Sequence, residues 1–154
     1  DAVRGDPIAL PDDLAQSAAR APVHLAAVGE RIALAVEGEA RSLHVRPAPG
    51  ADRETGAGWA RLHAVRGVTA VELDDEDPGW IAVGVCEPRS GFAVVRVSED
   101  GGGSFRTALA VEAGAGVEPR VEQLVLDAGS STRLYAVTSR GVYKLVLARR
   151  PRGH

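Results

Sequence analysis

The densest group of ligand atoms in the sequence is an acidic run, Glu72, Asp74, Asp75, Glu76 and Asp77. Carboxylates at that density attract hard cations such as calcium. A calcium loop of the EF-hand type alternates its ligands around a central glycine, and this run does neither. A solvated turn between strands is the expectation. His24, His44 and His63 are scattered over separate segments, and none has the spacing of a helical metal pair. Cys86 is the single cysteine, so neither an internal disulfide nor a cysteine zinc cluster is encoded. It follows the apolar run 81–85, where a buried, inert thiol is expected rather than a nucleophile.

Two further chemistries fail on local grounds. The Gly-Ser pairs at 103–104 and 129–130 fall in turns, so no Ser–His–Asp signature is present. Gly101, Gly102 and Gly103 lack the Gly-Lys-Ser/Thr of a phosphate loop, and strand signals follow them instead of a helix. No catalytic residue, cofactor or metal site is expected.

The elements that carry these residues read as strands. Apolar residues make up 45% of the 154 residues and charged ones 25%, which fits a globular chain with a real core. Aromatics are only 4%, so the core must come from Val, Leu, Ile and Ala. A formal charge of −3 gives no global attraction to nucleic acid or anionic lipid. No apolar stretch approaches the ~20 residues needed to span a bilayer. Lys144 is the one lysine, and methionine is absent. A chain beginning at Asp1 is therefore expected to be processed, trimmed or part of a larger gene product. Loss of a secretory signal would place it outside the cytoplasm, periplasmic or secreted.

Residues 1–20 differ from the rest: Pro7, Pro11, Asp12 and Asp13 predict an extended arm, with a helical turn near 14–20. Beyond residue 20, short runs of Val, Leu and Ile bounded by Gly, Pro, Asp and Ser predict strands. They repeat. The first unit has runs at 23–28, 31–36, 43–45 and 59–62; the second at 68–73, 80–85, 92–97 and 105–109. The third has runs at 121–126, 134–138 and 142–147, and stops before a fourth. The second run of each unit is almost wholly apolar, as in a strand buried on both faces. Four short strands recurring every ~40–50 residues fit the blades of a β-propeller.

The segment Ser98-Glu99-Asp100-Gly101-Gly102-Gly103-Ser104-Phe105 resembles the Asp-box, Ser-x-Asp-x-Gly-x-Thr-Trp, with Ser104 for Thr and Phe105 for Trp. Residues 52–59 form a degraded version that keeps only Gly56 and Trp59. By this resemblance the chain is similar to the Asp-box (BNR, sialidase-type) propellers, which include sialidases, sortilin-like receptors and photosystem II stability/assembly factors. The resemblance implies an all-β fold of about three four-stranded antiparallel blades, approximately 21–66, 67–112 and 117–148, as part of a larger propeller. It also implies that Ser98, Asp100, Gly102, Ser104 and Phe105 form a structural turn and not a catalytic one.

A sialidase-like site would combine an arginine cluster, an acid and an activated tyrosine. Arg120, Arg133 and Arg140, with Tyr135 and Tyr143 nearby, are the only candidates, and they are expected to be solvated arginines and packed tyrosines. The expected function is a non-catalytic binding or scaffolding module that recognises a protein partner or further blades. The alternative is a portion of an Asp-box glycoside hydrolase or a carbohydrate-binding propeller.

Overall fold

A computed structural model describes residues 8–37, 43–46, 58–62, 65–87, 90–127 and 133–148. Eleven strands and one short helix make up its regular structure, so the chain is all-β. Helix α1 (Asp12–Ala18) comes first. Strands β1 (Val23–Val28), β2 (Arg31–Val36), β3 (Leu43–Arg46) and β4 (Ala60–Leu62) form the first sheet. The second holds β5 (Val68–Leu73), β6 (Ile81–Glu87), β7 (Phe92–Ser98) and β8 (Arg106–Glu112). The third holds β9 (Val121–Leu126), β10 (Arg133–Thr138) and β11 (Gly141–Val146).

Each sheet is an antiparallel meander, with every strand paired to its neighbour in sequence. Turn residues make this possible. Gly29, with φ +57°, joins β1 to β2 in a two-residue turn that closes on Val28 and Arg31. Ser139 and Arg140 do the same between β10 and β11, where the Thr138 hydroxyl accepts from Arg140 N–H at 3.1 Å.

The sheets stack face to face in chain order and approach one another through their first strands, β1 against β5 and β5 against β9. One core fills the space between the first two sheets, around Ala33, Ala35, Leu43, Val71, Ile81, Val83 and Val85. A second fills the space between the second and third, around Trp80, Ala82, Val95, Val97, Leu124, Leu134 and Leu145. Each fully buried Val, Leu or Ile contributes ~1.5–3 kcal/mol. Contact across the second interface is tight: a Cβ on Gly84 of β6 would lie 2.5 Å from Val121 Cβ. Thr69 Oγ1 crosses the same gap, donating to Val121 O at 2.8 Å.

The two ends of the stack differ. On the far face of the first sheet, α1 lays Leu14, with Leu10 and Ala18, over Ile32, Leu34, Val36 and Trp59. Trp59 Nε1 also donates to Ala9 O at 3.0 Å, which fastens the segment before the helix. Residues 9–18 therefore pack as a cap on the first sheet, and the helix starts at Asp12 where sequence spacing put a turn near 14–20. With this cap on one face and the second sheet on the other, all six residues of β2 are buried. Among the described residues the third sheet has no such cover, and β10 alternates instead, with Leu134, Ala136 and Thr138 buried and Arg133 exposed. The apolar second run of the third unit is thus buried on one face only among the described residues.

Candidate functional site

Strand direction gives the stack two ends. Strands β1, β5 and β9 all start at the end where β2 and β6 finish; they run toward the end where the loop 98–105 lies.

At that second end, the loop closes on its own side chains. Ser98 Oγ is 1% exposed as a residue and accepts from Gly102 N–H at 2.8 Å, while donating to Asp100 Oδ1 at 2.8 Å. Asp100 Oδ1 accepts from Ser104 N–H at 2.9 Å, and Oδ2 from the Ser104 hydroxyl at 2.6 Å. The Ser104 hydroxyl, its N–H and the Ser98 hydroxyl together hold the Asp100 carboxyl well below the usual carboxylate range. Gly101 N–H reaches Gly79 O at 2.8 Å, tying the loop to the turn before β6. Gly102, at φ +96°, lies so close to Leu62 of β4 that a Cβ would stand 2.1 Å from Leu62 Cδ1. Phe105 then turns into the core between the first and second sheets. The side chains of Ser98, Asp100 and Ser104 thus bond to one another and to the loop's own N–H groups.

Acidic residues 72–77 occupy the turn beside it. Asp74 is not solvated, as charge density alone suggested, but 2% exposed. Its Oδ1 accepts from Glu76 N–H at 2.7 Å and Asp77 N–H at 3.1 Å, so the residue is buried because it folds the turn. Asp77 Oδ1 accepts from Gly79 N–H at 2.9 Å. Burial pushes the Glu72 carboxyl up, against a hydrogen bond from Leu126 N–H. No cluster of three or more His, Cys, Asp or Glu among the described residues could hold a metal ion.

The opposite end carries a polar cluster that no motif announces. Glu37, just past β2, accepts from Arg120, just before β9, and its Oε1 lies 2.6 Å from His24 Nε2 on β1. Arg120 also pairs with Glu122 at 3.0 Å. Burial pushes the Glu37 carboxyl up, but Arg120 and His24 outweigh it and hold it below its usual range. The hydrogen bond from Arg120 to Glu37 raises the guanidinium in turn. A crevice of about 30 Å³ opens beside them, lined by Thr69, Cys86, Glu118 and Arg120. It has the size of one water.

Arginine and tyrosine candidates do not converge. Arg120 is bound to Glu37 and Glu122, and Arg133 pairs with Asp127 at 3.5 Å at the other end of the third sheet. Tyr143 packs toward the second sheet, whereas Tyr135, two positions along β10 from Arg133, shares the opposite face. Cys86 is buried, and so is His44; His63 and the degraded repeat at 52–57 lie outside the described residues. Sequence reasoning missed Arg31. It is 7% exposed, and its guanidinium donates to Trp80 O at 3.1 Å and Asp77 O at 3.4 Å, across the first interface. The signal available was a charge at the head of an otherwise apolar strand.

At the outer side of the stack, a groove of about 780 Å³ runs between β8 and the end of β11. Comparison with protein-family models, with curated proteins and with solved structures finds no match. Among the described residues, no helix is long and apolar enough to cross a membrane.

Proposed function

We propose that the three sheets are consecutive blades of an Asp-box β-propeller, acting as a non-catalytic binding or scaffolding module for a protein partner. The observation that carries this reading is the contrast between the ends of the stack. α1 covers Ile32, Leu34, Val36 and Trp59 on the far face of the first sheet and leaves Val23 and Leu25 exposed beside them, while among the described residues nothing covers the far face of the third. Val125, Val142 and Val146 are 42%, 68% and 73% exposed there, beside Tyr135 and Val137. Soluble chains rarely leave such a face bare unless something binds it.

Three features support the blade assignment. The sheets are four-stranded meanders in the first two cases, they contact through their first strands, and an aromatic (Trp59, Phe105) precedes each fourth strand. Against a catalytic role stands the polar inventory. Arg120 and Arg133 pair with carboxylates, and the side chains of Ser98, Asp100 and Ser104 bond within their own loop.

Lys144 makes the reading testable. It is the one lysine of the chain and lies on the open face of the third sheet. An amine-reactive crosslinker, combined with sedimentation of the 16.0 kDa chain, reports what meets that face. The expected result is an assembly heavier than one chain, crosslinked through Lys144 and stable in high salt, because its centre is apolar. A monodisperse monomer with Lys144 uncrosslinked and no partner would overturn the proposal.

A further inference from the structure

We infer that Glu37, Arg120 and His24 form an electrostatic latch over the crevice beside them, and that this latch keeps the Cys86 thiol out of reach until it opens. The inference does not depend on what meets the third sheet.

The latch follows from where the three sheets place equivalent residues. At this end one backbone hydrogen bond recurs in each sheet, from the close of its second strand to the residue before its first. Glu37 N–H donates to Pro22 O at 2.9 Å, Cys86 N–H to Gly67 O at 2.9 Å, and Ser139 N–H to Arg120 O at 3.0 Å. Glu37 in the first sheet and Cys86 in the second therefore hold the same position, as do Pro22, Gly67 and Arg120. The third sheet has a long cationic side chain there, whereas the second, lying between, has a glycine. The guanidinium of Arg120 thus passes the head of β5 unobstructed and donates to Glu37 in the first sheet. His24 Nε2, 2.6 Å from Glu37 Oε1, holds the same carboxylate from β1.

The crevice shares Glu37 and Arg120 with this bridge and is walled further by Gly67, Thr69, Glu118 and Cys86. At about 30 Å³ it has room for one water and nothing larger. Cys86 is 8% exposed, so a thiol reagent reaches it only when the walls part.

The walls differ in what holds them. Thr69 is fixed, its hydroxyl donating to Val121 O at 2.8 Å, and the backbone at Gly67 is tied to Cys86 itself. The side chains of Arg120 and Glu37 are 26% and 24% exposed. Ion pairs with such access to water are weak, and this one can part without unfolding a strand. Arg120 Nε also donates to Glu122 at 3.0 Å, a carboxylate on the solvent side that keeps the guanidinium when it leaves Glu37. The latch therefore has an open position as well as a closed one.

Cys86, the single cysteine, reports on the latch. The probe is 4,4′-dithiodipyridine added to the intact chain at pH 7: the Cys86 sulfur displaces one thiopyridone from it, and absorbance follows the release. The native chain should react slowly. Glu37→Gln and Arg120→Gln should each speed the reaction about fivefold, the factor an exposed ion pair supplies. The double variant should be no faster than the faster single one, because both changes open the same latch. Ser98→Ala is the control for unfolding, since it loosens the loop at the other end of the stack and leaves the latch intact. It should not change the rate. Acceleration by Ser98→Ala matching that of Glu37→Gln would mean that reagent enters through global unfolding, and would overturn the inference. Rapid reaction of the native chain, or unchanged rates in both latch variants, would overturn it too.

Discussion

Glu37 and Arg120 form an ion pair across 83 residues of sequence, joining the end of β2 to the start of β9 over the top of β5. The first and third sheets meet there although the second lies between them. His24 adds a third arm from β1. Such a clasp fixes the splay of all three sheets at one end, while the loop 98–105 and Arg31 fix the other.

That clasp sets an acid limit. A carboxyl whose folded pKa is depressed contributes stability that is complete above its ordinary value and is lost as pH falls through the folded one. For Glu37 the loss begins below about 4.5, the ordinary value. Glu37→Gln is expected to cost about 1 kcal/mol at neutral pH, given that both side chains are roughly a quarter exposed. The difference should shrink toward zero in acid, where the native carboxyl is itself neutral. Urea unfolding at pH 7 and at successively lower pH measures it; a loss that stays constant throughout would mean that shape, not charge, matters at this position.

Glu72 runs the opposite way. Burial raises its carboxyl, so the folded state favours the protonated form, and stability falls as pH rises through the ordinary carboxylate range toward the folded value. Glu72→Gln should therefore raise the melting temperature at pH 7 and leave it unchanged at pH 3. A lower melting temperature at pH 7 would show that the bond from Leu126 N–H outweighs the burial.

In the loop 98–105, the buried serine should matter more than the exposed aspartate. Ser98→Ala leaves the buried Gly102 N–H without its acceptor and is expected to cost about 1–3 kcal/mol. Asp100→Ala loses bonds that water partly replaces and should cost about 1 kcal/mol. Neither should change partner binding. Chemical denaturation ranks them, and the reverse order would locate the motif's strength in the carboxylate.

How much of this was legible beforehand depends on range. All eleven strands answer to apolar runs flanked by turn residues, with ends shifted by one to three residues, among them those where Trp59, Trp80 and Phe105 leave the ladder. The hydrogen bonds within 98–105 follow from neighbours four residues apart or fewer. Arg31, by contrast, meets carbonyls 46 and 49 residues away, and Arg120 meets a carboxylate 83 away. No periodicity encodes such meetings, because they depend on how one sheet rotates against the next. The helix was legible as a turn near 14–20, but its docking as a cap was not, because a seven-residue helix is too short to sustain itself. Only docking on Ile32, Leu34 and Val36 orders it.

Gly102 and Leu62 offer a test of how closely two sheets meet. Gly102→Ala must place a Cβ 2.1 Å from Leu62 Cδ1 at a φ of +96°, so both sterics and backbone resist it. The expected loss is on the order of 3 kcal/mol. Adding Leu62→Ala should return part of that, leaving the backbone share, so the double-mutant cycle should show favourable coupling of about 1 kcal/mol or more. Strict additivity would mean that the cost lies in φ alone.

The cap on the first sheet leads to the last prediction. Leu14 is 3% exposed and is the central contact between α1 and β2. Leu14→Ala should cost about 2–3 kcal/mol at that site, enough to detach a helix with no stability of its own. The first sheet would then present Ile32, Leu34 and Val36 to solvent, beside Val23 and Leu25, which are already 40% and 59% exposed. Both ends of the stack would now be apolar and bare. Two different sticky faces on one molecule allow head-to-tail contacts that do not close, whereas one such face permits only a closed pair. The variant is therefore expected to form species that grow with concentration, while the native chain stops at a defined size. Tryptophan emission reports the cause. In a Trp80→Phe background, emission from Trp59 should shift to the red on Leu14→Ala, since Trp59 lies under the helix. Growth without that shift would mean that the third sheet alone drives association. A shift without growth would mean that the first sheet, even uncovered, is too narrow to pair.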